Sequence, residues 1–215
     1  MSRILNLENS LVNVFISELR DSTIQKDSMR FRRNLERLGE IMAYEISKEL
    51  DFVVRDIVTP LGIAPTPVLK DQPVIATILR AGLPVHQGML NYFDNAENAF
   101  VSAYRKHHKD NSFEIKVEYM SSPDLNDKVL ILCDPMIATG QSMFLVYKAL
   151  LQRGKPKHIH VVGLIASTVG LDYVKSHFPE NTSFWMGAVD EELTVKSYIV
   201  PGLGDAGDLA FGIKI

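Results

Sequence analysis

Hydrophobic positions in this chain follow two different periods, and each period predicts one kind of element. In some segments apolar residues recur every three to four positions, as on one face of a helix, while other segments are almost wholly apolar or alternate with polar residues. The first pattern predicts helices over residues 11–19, 29–50, 83–93, 142–153 and 168–177. The second predicts strands over residues 52–58, 74–79, 100–104, 113–120, 129–133, 158–166 and 183–187.

Strands and helices alternate through the middle of the chain, an order typical of an α/β fold. It predicts a mainly parallel sheet with right-handed crossovers and helices on both faces. Residues 59–73 carry four prolines and are predicted as a loop or an edge excursion, and residues 106–112 as a strongly polar loop. We interpret the chain as one domain over residues 1–215, with a helical N-terminal region (1–50), a core sheet (74–187), an extended β-arm at 113–120 and a C-terminal segment (188–215).

Composition and charge narrow the class of protein. The 215 residues are 46% hydrophobic and 23% charged, enough for one well-buried α/β domain. A net charge of −3 and a pI near 6.1 argue against a nucleic-acid partner, so an anionic ligand has to be bound locally. The single cysteine, Cys133, lies within an apolar run and is predicted to be a buried thiol rather than a nucleophile.

Nothing in the sequence predicts export or membrane insertion. Residues 1–10 lack the basic region and the long apolar core of a signal peptide, and no run approaches the eighteen or so apolar residues of a membrane helix. We therefore expect a soluble, cytoplasmic protein without a membrane partner.

Residues 129–142, VLILCDPMIATGQS, carry the first chemical signal. The apolar strand is predicted to deliver Asp134 to the carboxyl edge of the sheet, where ligands of open α/β sheets bind. The backbone N–H groups that follow, at the start of a helix, are predicted to cradle a phosphate; they belong to Thr139, Gly140, Gln141 and Ser142. The spacing matches neither G-x-x-x-x-G-K-[ST] nor G-x-G-x-x-G, and an ordinary capped strand-loop-helix turn stays the alternative.

A second strand is predicted to end at the same edge. Residues 75–83 read IATILRAGL and place Arg80, Ala81 and Gly82 after a buried strand, where a guanidinium can bind an anion through two parallel hydrogen bonds. A solvated surface arginine is the alternative for Arg80 taken alone. The meeting of two strand ends at one edge favours a binding role.

Residues 198–207, YIVPGLGDAG, form a third segment of interest. Three glycines and one proline in ten residues predict no regular element. A rigid loop of this kind presents backbone N–H and C=O groups, which recognition of a small planar base with alternating donors and acceptors requires. A mobile glycine-rich tail is the alternative.

Together these segments resemble the type I phosphoribosyltransferases, and within them the uracil phosphoribosyltransferase family. DPMIATGQS resembles the loop that binds 5-phosphoribosyl-1-pyrophosphate (PRPP), with the single acid Asp134 where most type I members carry two. ILRAG resembles the pyrophosphate-binding loop, and YIVPGLGD resembles the uracil-binding hood. The chain departs from the family at Thr77, where proline is usual, in a basic loop after Arg105, and in an apolar terminus at 209–215.

The resemblance implies a type I phosphoribosyltransferase fold and the conversion of uracil and PRPP to UMP and diphosphate, a step of pyrimidine salvage. It implies that Mg²⁺ arrives on PRPP without a direct protein ligand, and that Asp205 reaches it through water. Asp134, Arg105 and Asp205 are the implied catalytic residues. The residues implied to contact uracil are Ile199, Gly204, Asp205 and Ala206. The residues implied to bind PRPP are Arg80, Ala81, Gly82, Arg105, Asp134, Pro135, Met136, Ile137, Ala138, Thr139, Gly140, Gln141, Ser142 and Asp205.

Several further expectations accompany this resemblance. It implies a homo-oligomer, a dimer or a tetramer, and in some members activation by GTP, although no GTP motif is found. The alternatives are a regulator of the same fold that binds UMP or PRPP, a paralog acting on another base, and a nucleotide-binding module without activity. Adjacent His107 and His108 point in opposite directions on an extended segment, which argues against a metal site, and His158 and His160 are interpreted as packed or edge histidines.

Overall fold

A computed structural model describes residues 2–107 and 113–213, and the side chains of all of these except 103–107 and 113–116. The strands are β1 (Ser2–Ile4), β2 (Phe52–Thr59), β3 (Gly62–Leu69), β4 (Val74–Leu79), β5 (Glu97–His107), β6 (Phe113–Ser121), β7 (Val129–Ile137), β8 (His158–Ser167), β9 (Thr182–Asp190), β10 (Glu192–Leu193) and β11 (Ile199–Val200). The helices are α1 (Leu11–Arg20), α2 (Ser28–Ser47), α3 (Leu83–Leu90), α4 (Gln141–Leu150), α5 (Thr168–His177) and α6 (Ala206–Phe211).

Seven strands form the central sheet in the order β1-β9-β8-β7-β4-β5-β6. All neighbours in it are parallel except β6, which runs antiparallel to β5 at one edge. This confirms the prediction of a mainly parallel α/β sheet. The carboxyl ends of β4 and β7 lie side by side at its centre, which is the place where a ligand site is expected.

Helices cover both faces of the sheet because its central strands are apolar at successive positions. Ile131 and Cys133 pack on the side of α1, α2 and α3, while Leu130 and Leu132 pack on the side of α4 and α5. Cys133 is a buried free thiol, as predicted, and burial raises its pKa to about 12. It is therefore part of the packing and has no nucleophilic character near neutral pH.

Two segments were predicted incompletely. The N-terminal region is not only helical, because Ser2–Ile4 adds a parallel edge strand to β9; three residues are too few to show a period. Residues 59–73 are not simply a loop, since β3 pairs with β2 in an antiparallel hairpin. Pro65 and Pro67 are tolerated in β3 because residues two apart face the same side, and a two-stranded ribbon leaves one side of each strand unpaired.

The ends of several elements also differ from the prediction. α3 ends at Leu90 rather than at residue 93, α4 passes into a 3₁₀ turn at residue 151, and β9 extends to Asp190. β5 continues to His107, so the segment predicted as a polar loop begins as strand, and its residues 108–112 lie outside the described residues. In the part of the chain that the structure describes, no helix combines the length and the apolar character needed to cross a membrane.

Candidate active site

Asp134 lies on β7 just beyond the point where its neighbour β4 stops pairing with it. The pairing of β7 with β4 ends at Thr77 and Cys133, whereas its pairing with β8 continues through Asp134 opposite Gly163. The strand was predicted to end at Cys133, which is wrong, because β8 supports β7 for four more residues. Asp134 is therefore held by strand backbone instead of loop backbone, and it still occupies the opening where β4 turns away.

The environment of Asp134 changes its acidity. The carboxylate accepts a hydrogen bond from the Met136 backbone N–H at 3.2 Å. Burial nevertheless raises the pKa of this carboxyl to about 7, because few groups compensate the charge once water is excluded. A ligand that donates hydroxyl hydrogens to Asp134 would stabilise its charged form, so binding and ionisation are coupled at this residue.

The predicted phosphate loop joins β7 to α4. Gly140 adopts a φ of +76° immediately before α4, so the first N–H groups of the helix open toward the loop. A Cβ atom added at Gly140 would lie 2.8 Å from the Gly170 carbonyl oxygen and 2.9 Å from Tyr173 Cδ1. Only glycine fits this position on both counts.

The neighbouring β8–α5 connection sets the shape of the loop. Ser167 Oγ donates to the Ala138 carbonyl oxygen at 2.5 Å and accepts from the Gly170 N–H at 2.8 Å, which also caps α5. A Cβ at Gly170 would lie 2.3 Å from the Ala138 oxygen. Neither residue was predicted for the site, although a serine directly before a predicted helix is a capping signal that could have drawn attention to Ser167.

Arg80 follows β4 at the same edge of the sheet, as predicted. Its guanidinium lies 3.4 Å from the Asp208 carboxylate and donates to the Gly212 carbonyl oxygen at 3.2 Å. Side-chain exposure of 43% leaves it open to solvent. A virtual Cβ at Gly207 lies 3.9 Å from the Ala81 Cβ, so the strand end and the C-terminal segment face each other.

The C-terminal segment is more regular than predicted. Ile199 and Val200 pair with β10, and α6 begins at Ala206 with Asp205 as its cap, whose carboxylate accepts from the Asp208 N–H at 3.0 Å. Ile199 and Ala206 are buried, and the stretch between them forms a tight glycine-rich loop. We call residues 198–212 the hood.

The structure brings together most of the residues predicted for the site. Arg80, Asp134 and residues 138–142, which we call the Gly140 loop, occupy adjacent strand ends. The hood reaches this edge through Arg80. Arg105 lies on β5 with its backbone opposite Ile115, but its side chain lies outside the described residues. His108 and Lys109 of the predicted basic loop lie outside them as well.

One group of side chains in the described residues has the makings of a metal centre, and it lies away from this edge. Ligand atoms of Glu49, His158 and His160 fall within 4.8 Å of one another near the start of β8. His160 Nδ1 already accepts the Trp185 indole N–H at 3.0 Å, and Arg3 pairs with Glu49 at 2.5 Å. A cation there would have to displace one bond and approach a fixed positive charge, so we interpret the group as a packed polar cluster.

Comparisons with known proteins agree with the geometry. A family model described as "Uracil phosphoribosyltransferase" matches residues 6–213. A protein named uracil phosphoribosyltransferase from Porphyromonas gingivalis is 59% identical over 211 residues, which cover 98% of each chain. The solved structure of the AQ2163 protein from Aquifex aeolicus matches with a TM-score of 0.88 at 28% identity and covers 100% of both chains. A hypoxanthine phosphoribosyltransferase structure from Staphylococcus aureus, at 12% identity and a TM-score of 0.50, covers 75% of this chain and 76% of that one, and shows a shared fold.

Proposed function

This chain belongs to the uracil phosphoribosyltransferase family, and we propose that it transfers the phosphoribosyl group of PRPP to N1 of uracil. The products are UMP and diphosphate, and the step belongs to pyrimidine salvage. The observation that carries the proposal is the convergence of Arg80, Asp134 and the Gly140 loop at adjacent strand ends beneath the hood. An anion, a ribose and a planar base each find matching groups there.

Each part of PRPP is assigned to one part of the edge. The 5-phosphate binds the N–H groups and hydroxyls of residues 138–142, where the helix start and Gly140 allow close backbone approach. The ribose hydroxyls donate to Asp134, and Pro135, Met136 and Ile137, which follow it on β7, are assigned to PRPP with it. The diphosphate binds Arg80 beside Ala81 and Gly82, and Arg105 from β5. The uracil ring meets the hood at Ile199, Gly204, Asp205 and Ala206.

The reaction needs no protein nucleophile. The bond from C1 of the ribose to uracil N1 forms as the bond from C1 to the diphosphate oxygen breaks, and the N1 proton is released. The diphosphate leaves with the electron pair while positive charge builds on the ribose. Arg80 can stabilise the departing charge, and the hood and loop hold the reactants in line, so rate arises from positioning and electrostatics.

Mg²⁺ enters this scheme as part of the substrate. Two of the acids near the site are already engaged, because Asp208 pairs with Arg80 and Asp205 caps α6. Within the described residues, the only cluster of three metal-ligating side chains is the one at Glu49, which lies elsewhere. These residues suit a hydrated ion that PRPP carries, with Asp205 in reach through water, better than an all-protein cage.

Association into a homo-oligomer is a further part of the proposal. The β2–β3 hairpin stands apart from the central sheet and exposes Val58, Leu61 and Ile63, with Leu61 fully exposed. Exposed apolar side chains grouped on one element are typical of an interface. Activation by GTP stays a prediction from the family resemblance.

One assay tests the activity. The purified protein is incubated with PRPP, Mg²⁺ and each nucleobase in turn, and the nucleotides are separated by chromatography. UMP should form with uracil, and the purine bases should give no nucleotide. Absence of UMP at saturating substrate would contradict the proposal and favour a PRPP-binding regulator, whereas product with another base would identify a paralog of different specificity.

A further inference from the structure

An arginine–carboxylate pair outside the assigned site joins three elements of the fold. Arg20, the last residue of α1, donates from Nη1 and Nη2 to the two carboxylate oxygens of Asp190, each at 2.7 Å. Asp190 is the last residue of β9 and is only 8% exposed. Two parallel hydrogen bonds between planar groups fix their relative orientation as well as their distance.

The same two side chains hold one residue of the hood. Arg20 Nη1 also donates to the Gly202 carbonyl oxygen at 2.9 Å, and the Gly202 N–H donates to Asp190 Oδ2 at 2.9 Å. Both backbone polar groups of Gly202 are therefore bound by the pair. Among the hydrogen bonds that the structure describes, no other residue of the hood has both its N–H and its C=O bound by a single ion pair.

The position of Gly202 constrains the position of Ile199, a residue assigned to uracil binding. The φ of Gly202 is +55°, and an added Cβ there would lie 2.2 Å from the Ile199 carbonyl oxygen. The turn is thus so tight that a shift of Gly202 has to move the Ile199 peptide. The Asp190 carbonyl oxygen accepts from Thr168 Oγ1 at 3.3 Å, which ties the same point to the start of α5.

Such a pair contributes more to geometry than to stability. Removing an arginine and a carboxylate from water offsets much of their attraction, so a buried ion pair adds little net free energy of folding. What it adds is a defined position for the backbone that both charges bind. A main-chain site for a small base needs such definition, since a displacement of about 1 Å weakens its hydrogen bonds strongly.

We propose that Arg20 and Asp190 are positioning residues that set the uracil-binding backbone of the hood at Ile199 through Gly202. This inference rests on the proposed uracil phosphoribosyltransferase activity. Neither residue is bonded to Arg80, Asp134 or the Gly140 loop in the described part of the chain. Disturbing the pair should therefore weaken uracil binding selectively and leave PRPP binding nearly intact.

The test measures the variants Arg20→Lys and Asp190→Asn and compares them with a control variant in a second arginine–carboxylate pair. Lysine at position 20 keeps the positive charge but loses the planar guanidinium that donates two parallel hydrogen bonds. Asparagine at position 190 keeps the shape of the side chain but loses the negative charge and one acceptor oxygen. The KM for uracil should rise about tenfold or more in each variant, with the KM for PRPP within about twofold of wild type. The control is Arg30→Lys, which disrupts a bidentate pair with Glu18 (2.7 and 2.9 Å) between α2 and α1; neither side chain of this pair has a described hydrogen bond to the hood. It should leave both KM values unchanged.

The outcomes distinguish a failure of the proposed activity from a failure of the positioning role. A wild-type protein that makes no UMP overturns the proposed function before any variant is compared. An active wild type whose variants keep the KM for uracil within about twofold overturns the positioning role. A parallel rise of both KM values, or loss of folding in both conservative variants by circular dichroism, shows a purely structural pair and also overturns it. Restoration of the uracil KM in the double variant Arg20→Asn with Asp190→Asn would also overturn it, since two amides cannot rebuild the two parallel hydrogen bonds of the pair.

Discussion

The two ends of the central sheet carry similar residue types and use them in opposite ways. At the amino-terminal end, Trp185 donates to His160 and Arg3 pairs with Glu49 while stacking over the Trp185 ring at 4.7 Å. At the carboxyl end, Asp134 is engaged by one backbone N–H, and Arg80 is 43% exposed. These side chains at the first end bind one another, whereas those at the second leave capacity for a ligand.

The acidity of the two ends shows the same contrast. Burial lowers the pKa of His160 to about 3, so the imidazole stays neutral and serves as an acceptor inside the packing. Burial raises the pKa of Asp134 to about 7, which places its charge change within the physiological range. A polar cluster alone therefore does not identify a functional site. What distinguishes the site is a group whose charge a ligand can still stabilise.

The largest expected effect comes from Gly140→Ala at the carboxyl end. The added methyl group clashes with Gly170 and disfavours a φ of +76°, so the phosphate loop has to move. The value of kcat/KM for PRPP should fall about a thousandfold. Steady-state kinetics checks this against Gly62→Ala, which also has a positive φ (+158°) but where an added Cβ meets nothing within 4 Å. Equal activity of the two variants would contradict the phosphate assignment.

Asp134→Asn should separate activity from stability. Transfer should fall about a hundredfold, because the amide cannot take the charge that ribose hydroxyls stabilise. The native carboxyl holds a proton up to about pH 7, whereas the unfolded one releases it near pH 4, so this group's stabilisation is lost as pH rises through 7. The variant should be at least as stable as wild type at pH 8 by thermal melting. A strongly destabilised variant there would show that Asp134 supports the fold.

Trp185→Phe should have the reverse signature. It leaves the buried His160 Nδ1 without its donor and removes packing volume, which should cost about 3 kcal/mol of unfolding free energy. Activity per folded molecule should stay near wild type, because the cluster lies away from the strand ends that carry the site. Urea denaturation and active-site titration measure the two quantities. A selective loss of kcat at unchanged stability would contradict the assignment of a purely structural role to the amino-terminal end.

The smallest expected effect concerns acid sensitivity at the amino-terminal end. The folded pKa of His160 lies below its unfolded value near 6.5, so the stability it contributes is present above that pH and is lost as pH falls toward 3. His160→Gln should reduce the loss of unfolding free energy between pH 7 and pH 5 by about 1 to 2 kcal/mol. A His160→Gln variant that keeps the pH dependence of wild type in urea denaturation would contradict this account.

Continuous apolar runs and strong periodicity made much of the fold predictable. β4 (Val74–Leu79) and α5 (Thr168–His177) match their predicted bounds, since β4 is a continuous buried apolar run and α5 begins directly after the capping residue Ser167. β1 was missed because its partner in β9 lies far along the chain, with Ser2 opposite Phe184. The extension of β7 beyond Cys133 was missed for the same reason, because β8 provides the support.

The sequence by itself determined which residues can bind and where the chain turns: a glycine before α4, an arginine after β4, an acid after an apolar run, and a glycine-rich hood. These are local properties, read from neighbours a few positions apart. Only the tertiary structure decided that Arg80 meets Asp208, that Arg20 and Asp190 hold Gly202, and that Asp134 has a pKa near 7. Those facts depend on burial and on distances between residues remote in the chain, which no local pattern encodes.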